Sequence, residues 1–121
     1  MTVWGQNDCC LFPANWILSI AGIDGGALWR GTYADEDQCL AVLERDGGVR
    51  AVMARGAALV GLPPTTNPVR GDVGVIRVRT FRGEPLVGAI CTGRRWAVMS
   101  AQGVRSLRGE VEAAWSAQYV L

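Results

Sequence analysis

The sequence predicts an α+β fold in which a helical half precedes an antiparallel sheet. Apolar residues recur at helical spacing up to about residue 61, whereas from residue 71 onward they alternate with a period of two. Residues 62–70 include the sequence LPPTTNP, which is typical of a stiff connecting loop. The length of 121 residues suits one domain. We therefore expect a single domain, residues 1–121, with a helical half (1–61), a loop (62–70) and a strand half (71–121).

The first predicted helix runs from about Cys9 to Ala21, between Asp8 as N-cap and Gly22 as C-terminal stop. Two apolar stripes fit helical spacing: Cys10, Ala14, Ile17 and Ala21 on one side, and Cys9, Phe12, Trp16 and Ile20 on the other. A helix that is apolar nearly all round is typically central and buried. Pro13 removes a backbone hydrogen bond, so we expect either a kink there or an irregular first turn.

Two further helices are predicted after a glycine-rich loop at residues 22–32. The second runs from about Asp35 to Arg45, and its acidic first turn suits the positive end of a helix dipole. The third runs from Val49 to Val60 and ends at Gly61.

Four short strands are predicted in the second half, at Val73–Val78, Leu86–Cys91, Trp96–Met99 and Val104–Leu107. The turns between them are short, which predicts an antiparallel meander. We expect a last helical segment at Gly109–Trp115 to close the chain.

Composition excludes several classes of protein. The net charge is +1, so bulk electrostatics favours neither nucleic acid nor an anionic membrane as a partner. No apolar run reaches the roughly 18 residues that a membrane span needs, and the N-terminal residues do not have the pattern of a secretory signal. We therefore expect the protein to be soluble in the cytoplasm when it is made.

The four cysteines, Cys9, Cys10, Cys39 and Cys91, have no CxxC spacing, and the chain contains no histidine that could complete a mixed zinc site. A metal or iron–sulfur site made of cysteine ligands alone would need all four to converge, with Cys9 and Cys10 adjacent in the chain. Such a four-cysteine site is an alternative. Buried free thiols are the interpretation we favour, so we expect no metal and no cofactor.

Cys9 has a chemically meaningful position at the start of a helix. Unpaired N–H groups and the helix dipole stabilise a thiolate there, and the same groups can hold a developing oxyanion. A buried helix that begins with cysteine and is followed by a small antiparallel sheet is the plan of papain-like enzymes.

Several short motifs resemble those of NlpC-type cell-wall endopeptidases, and the chain is most similar to an uncharacterised NlpC-related family encoded among tailed-phage tail genes. The matching positions, in order along nearly the whole chain, are Trp4-Gly5, Asp8-Cys9, Phe12, Arg30-Gly31, Tyr33, Gly47-Gly48, Gly71-Asp72-Val73 and Ala114-Trp115. The resemblance implies a papain-like fold and makes Cys9 the counterpart of the enzymes' nucleophile.

The chain departs from the enzymes at their histidine. Their second strand opens with H-V-G, and the matching stretch here is Leu86-Val87-Gly88. Amide hydrolysis needs a proton delivered to the leaving amine, which leucine cannot supply. Asp72 is the one nearby acidic candidate, and an ionised carboxylate is a poor proton donor.

Cys9 therefore has two interpretations. It is either a nucleophile whose base comes from a partner chain, as in an active peptidoglycan hydrolase, or an inherited position on an inactive scaffold, which we favour. On that basis we expect a structural component of a phage tail tip or baseplate near the tail hub. Its partners would be other tail proteins, and it would be assembled in the bacterial host cytoplasm and carried in the virion.

Five arginines in the strand half suggest a possible basic interaction face: Arg77, Arg79, Arg82, Arg94 and Arg95. Such a face would suit an acidic protein patch or nucleic acid. The interpretation we favour is a solvated edge that discourages strand aggregation, with no nucleic acid bound.

Overall fold

The computed structural model describes residues 2–79, 83–100 and 102–118, and these form three helices followed by five strands. The elements are α1 (Phe12–Ala21), α2 (Glu36–Arg45), α3 (Val49–Val60), β1 (Val73–Arg77), β2 (Leu86–Cys91), β3 (Trp96–Ser100), β4 (Gly103–Leu107) and β5 (Glu110–Trp115). The predicted α+β class is confirmed. Among the described residues, no helix combines the length and the apolar character that a membrane crossing requires.

Helix α1 begins three residues later than the sequence predicts, because the chain from Asp8 to Leu11 forms a separate turn. The Asp8 carboxylate accepts hydrogen bonds from the backbone N–H groups of Cys10 and Leu11 and caps this turn instead of the helix. Pro13 then lies in the first helical turn, where its missing N–H leaves no bond unmade. The irregular first turn is confirmed, and it places Cys9 just outside the helix.

Helices α2 and α3 agree closely with the sequence pattern. Asp35 caps α2 through a 2.8 Å hydrogen bond that its side chain accepts from the Gln38 N–H. Helix α3 has the predicted bounds and ends at Gly61, which adopts the left-handed conformation that glycine tolerates.

The sheet is antiparallel with the strand order β4-β3-β2-β1-β5, so β1 lies inside it. The predicted helix at Gly109–Trp115 is wrong, since these residues supply β5, which pairs with β1 from Val73 opposite Trp115 to Arg77 opposite Glu110. Strand β1 is almost entirely buried. It pairs with β2 on one side, and if residues 110–115 were helical, the backbone N–H and C=O groups on its other side would be buried without partners. This tertiary requirement outweighs local propensity.

The apolar core lies on both faces of the sheet and under α2. The main cluster joins the helices to the sheet through Ile17, Ala57, Leu62, Val73, Val75, Trp115 and Ala117. A second cluster contains Ile76, Ala89, Cys91, Trp96, Val98 and Ala114, and a third contains Leu11, Trp29, Tyr33 and Cys39. The third cluster fixes the turn that carries Cys9 and Cys10.

Gly74, in the middle of β1, offers a test of the β1–β5 pairing. A Cβ atom there would lie 2.9 Å from the Ala113 carbonyl oxygen and 3.0 Å from the Trp96 ring. We expect Gly74→Val to lower the free energy of unfolding by about 2–3 kcal/mol, because the sheet must shift to admit the side chain. Urea unfolding checks this, and Gly74→Ala should give a smaller loss. A neutral Gly74→Val would argue against β5.

Candidate functional site

The turn at the start of α1 is organised by the fully buried carboxylate of Asp8. One oxygen accepts from Cys10 N and Leu11 N at 2.9 and 3.0 Å. The other accepts from Gly5 N at 2.9 Å and from the Tyr33 hydroxyl at 2.7 Å. Four donors therefore converge on one side chain, which fixes the backbone on both sides of Cys9.

Gly5 is required where the N-terminal segment passes under the loop that leads to α2. Its φ angle is +82°, and a Cβ atom would lie within the contact distance of the Tyr33 carbonyl oxygen. The Gly5 carbonyl accepts a hydrogen bond from Gly31 N at 2.8 Å. Arg30 pairs with Asp24 at 2.8 Å and also donates to the Gln6 carbonyl. The motif positions within the first 33 residues thus meet around Asp8, whereas Gly71-Asp72-Val73 and Ala114-Trp115 lie at β1 and β5.

Three thiols form a chain of contacts beside this carboxylate. The Cys10 Sγ lies 4.0 Å from the Cys9 Sγ and 3.9 Å from the Cys39 Sγ. Cys9 and Cys10 are half-buried, whereas Cys39, in the first half of α2, is buried. No local pattern in the sequence pointed to Cys39, because 29 residues separate it from Cys10.

Cys91 does not join the other thiols. It packs in the second core cluster with residues such as Ile76 and Trp96, and its thiol donates to the Gly93 carbonyl. The four-cysteine metal or iron–sulfur site considered from the sequence is therefore wrong, because the sheet and the α2 region place its ligands in different parts of the core.

The three clustered thiols differ in acidity. The hydrogen bond with Cys10 lowers the pKa of Cys9, although burial and the charge of Asp8 oppose this shift. The hydrogen bond with Cys10 likewise lowers the pKa of Cys39, whereas hydrogen bonds with Cys39 and Cys9 raise the pKa of Cys10. Cys10 accordingly retains its proton longest, and the two outer sulfurs are the better thiolates.

The Cys9 turn lies over strand β2. A Cβ atom on Gly88 would lie 3.2 Å from the Cys9 carbonyl oxygen and 3.1 Å from the Pro13 ring. Leu86 is two residues earlier and points to the same face of the sheet, where it packs against the main core cluster. The structure thus places an apolar side chain about 7 Å along the strand from the point of contact with the turn.

The Asp72 side chain binds the backbone segments that meet at the start of β1. Its carboxylate is buried and accepts hydrogen bonds from Val69 N, Ala117 N and the Gln118 amide at 2.9, 2.9 and 2.7 Å. The ionisable groups that act on the Cys9 thiol are instead Asp8, Cys10 and Cys39. This geometry makes Asp72 a structural residue.

The arginines of the strand half do not share one face. Arg77 bonds to Glu112 at 2.9 Å and Arg79 lies 3.4 Å from Glu84, both at one end of the β1–β2 pair. Arg94 and Arg95 are in the turn after β2, at the opposite end of a six-residue strand that spans about 20 Å. Arg82, which the sequence placed with them, lies outside the described residues.

An apolar cavity of about 50 Å³ lies between the turn, α2 and α3, and its lining includes Cys10, Trp29, Tyr33, Cys39 and Met53. This volume could hold a few water molecules and is too small for an organic substrate. The cavity therefore gives two of the three thiols an apolar surrounding and is no substrate pocket.

Comparison with known proteins yields one match. A family model described as "Domain of unknown function (DUF6950)" covers residues 1–117. No curated protein and no solved structure matches the chain.

Proposed function

We propose that this chain, which belongs to the DUF6950 family, is a structural component of a phage tail tip or baseplate near the tail hub. It is built on an NlpC-like, papain-like hydrolase scaffold that has lost its catalytic histidine. In this proposal Cys9 is an inherited position without a catalytic partner, and the partners of the chain are other tail proteins of the virion.

The observation that carries the proposal is the relation of the Cys9 turn to β2. A cysteine-bearing turn leads into a half-buried helix that packs on an antiparallel sheet. The turn contacts β2 at Gly88, and Leu86 of that strand is the residue that the sequence resemblance matches to the enzymes' histidine. The scaffold of a cysteine hydrolase is supported by this arrangement, and its proton-transfer group is missing.

The neighbouring polar groups cannot replace that histidine. The Asp8 carboxylate already accepts four hydrogen bonds. Burial and the hydrogen bond to Asp8 raise the pKa of the Tyr33 hydroxyl, so it keeps its proton. A leaving amine therefore meets no general acid among these side chains.

Two features of Cys9 favour a second candidate, an active peptidoglycan hydrolase whose base comes from a partner chain. Cys9 is half-buried, and its pKa is lowered by the hydrogen bond with Cys10. Both features suit a nucleophile.

Two measurements separate these candidates. We expect mass spectrometry of purified virions from the encoding phage to detect the chain. Because the second candidate takes its base from a partner chain, the peptidoglycan gel is run with whole virions, and we expect virions that carry Cys9→Ala to clear it as wild-type virions do. Clearing that Cys9→Ala abolishes would establish the hydrolase instead. Absence of the chain from virions would remove the structural role.

A further inference from the structure

We propose that the sulfurs of Cys9, Cys10 and Cys39 bind one Zn²⁺ ion. This site is independent of the tail-tip role proposed above, and it differs from the four-cysteine site that the structure excludes. It depends on the contacts among the three thiols and on the way in which two helix starts hold them.

Two of the three distances between the sulfurs are close to those of zinc ligands. With a Zn–S distance of about 2.3 Å, two sulfurs on a tetrahedral ion are about 3.8 Å apart. The Cys9–Cys10 and Cys10–Cys39 distances are 4.0 and 3.9 Å. Cys10 lies between the other two, which touch its sulfur and not each other. Binding therefore requires the Cys9 and Cys39 side chains to rotate towards an ion that lies beside the Cys10 sulfur.

The backbone that carries these ligands is fixed before any metal binds. Cys9 and Cys10 are on the turn that the Asp8 carboxylate holds through four hydrogen bonds. Cys39 is in α2, whose first turn is capped by Asp35. Cys9 and Cys10 lie just before the N-terminus of α1, where the dipole favours a negatively charged sulfur.

A carboxylate oxygen of Asp8 also lies within 4.8 Å of the Cys9 and Cys10 sulfurs. Because its acceptor positions are taken by four donors, we assign it the task of holding the ligand-bearing turn, and a water molecule completes the coordination. Cys9 and Cys10 are half-buried, which leaves the ion a path from solvent. Binding converts three thiols to thiolates and releases three protons to the solvent, so a Zn(S)₃ centre with a net charge of −1 forms.

The test uses the full chain, reduced and stripped of metal, with Co²⁺ as a spectroscopic substitute for Zn²⁺. We expect one equivalent of Co²⁺ to produce a thiolate-to-metal charge-transfer band, and one equivalent of Zn²⁺ to abolish it. We expect Cys10→Ser to weaken Co²⁺ binding at least about tenfold. Cys9→Ser should do the same and is the safer variant for folding, because Cys10 packs against the third core cluster whereas Cys9 is not part of it.

Cys91→Ser is the matched control, since it removes a buried thiol away from the cluster, and it should bind Co²⁺ as wild type does. Circular dichroism verifies that each variant is folded. A fully reduced wild-type chain with no charge-transfer band would overturn the proposal. Undiminished binding by folded Cys9→Ser or Cys10→Ser would overturn it too.

Discussion

Replacing Asp8 with alanine is expected to lower the free energy of unfolding by about 3–5 kcal/mol. The side chain is fully buried, and its loss leaves the N–H groups of Gly5, Cys10 and Leu11 and the Tyr33 hydroxyl without their acceptor. Chemical denaturation monitored by tryptophan fluorescence measures the change. We expect this loss of stability whether or not the chain has an enzymatic activity, because Asp8 holds the turn through its four hydrogen bonds.

Asp35→Ala provides the matched control. Asp35 is also an aspartate that caps a helical segment, but it is exposed, and its side chain accepts from the Gln38 N–H. Its replacement should cost only about 1 kcal/mol. Asp8→Asn should fall between the two, since an amide nitrogen cannot accept the bonds that a carboxylate oxygen accepts. Equal losses for Asp8→Ala and Asp35→Ala would contradict the central position assigned to Asp8.

Elements whose signals are local could be predicted from the sequence. Helix α3 has a glycine at each end and a continuous helical pattern between them, and β2 has apolar residues bounded by turns, so the bounds of both were predicted correctly. Strand β5 was assigned wrongly, because the reason for its conformation is the open edge of β1, some 35 residues earlier in the chain. A strand pairing between residues so far apart in the chain cannot be recognised from the local sequence pattern.

In the candidate site, too, local interactions could be predicted from the sequence and long-range contacts could not. The sequence predicts Asp8 as the N-cap of the first helix, whereas in the structure it caps the turn before α1. Its bonds to Gly5 and Tyr33 depend on how the following loop folds back. The contact between Cys10 and Cys39 likewise arises only when α2 packs beside the turn. Asp72 is a candidate for its acidity, and the structure shows that two of the three donors to its carboxylate come from the segment after β5.

Asp72→Ala is expected to lower the free energy of unfolding by about 2–4 kcal/mol, because three donors lose a buried acceptor. Two of these donors, Ala117 N and the Gln118 amide, hold the segment after β5 against the start of β1. We therefore expect the Ala117 amide to exchange hydrogen faster in the variant, as mass spectrometry or NMR would measure.

The control for Asp72 is Thr65→Ala, in the exposed loop before β1. The Thr65 hydroxyl accepts a single hydrogen bond from Asn67 N at 3.1 Å, and its loss should change stability by less than about 1 kcal/mol. If Asp72→Ala were no more damaging than Thr65→Ala, the carboxylate would be free for another task, and its assignment as a structural residue would have to be abandoned. A large loss with faster exchange at Ala117 would mean that any effect of Asp72 variants on function reflects unfolding of the C-terminal segment.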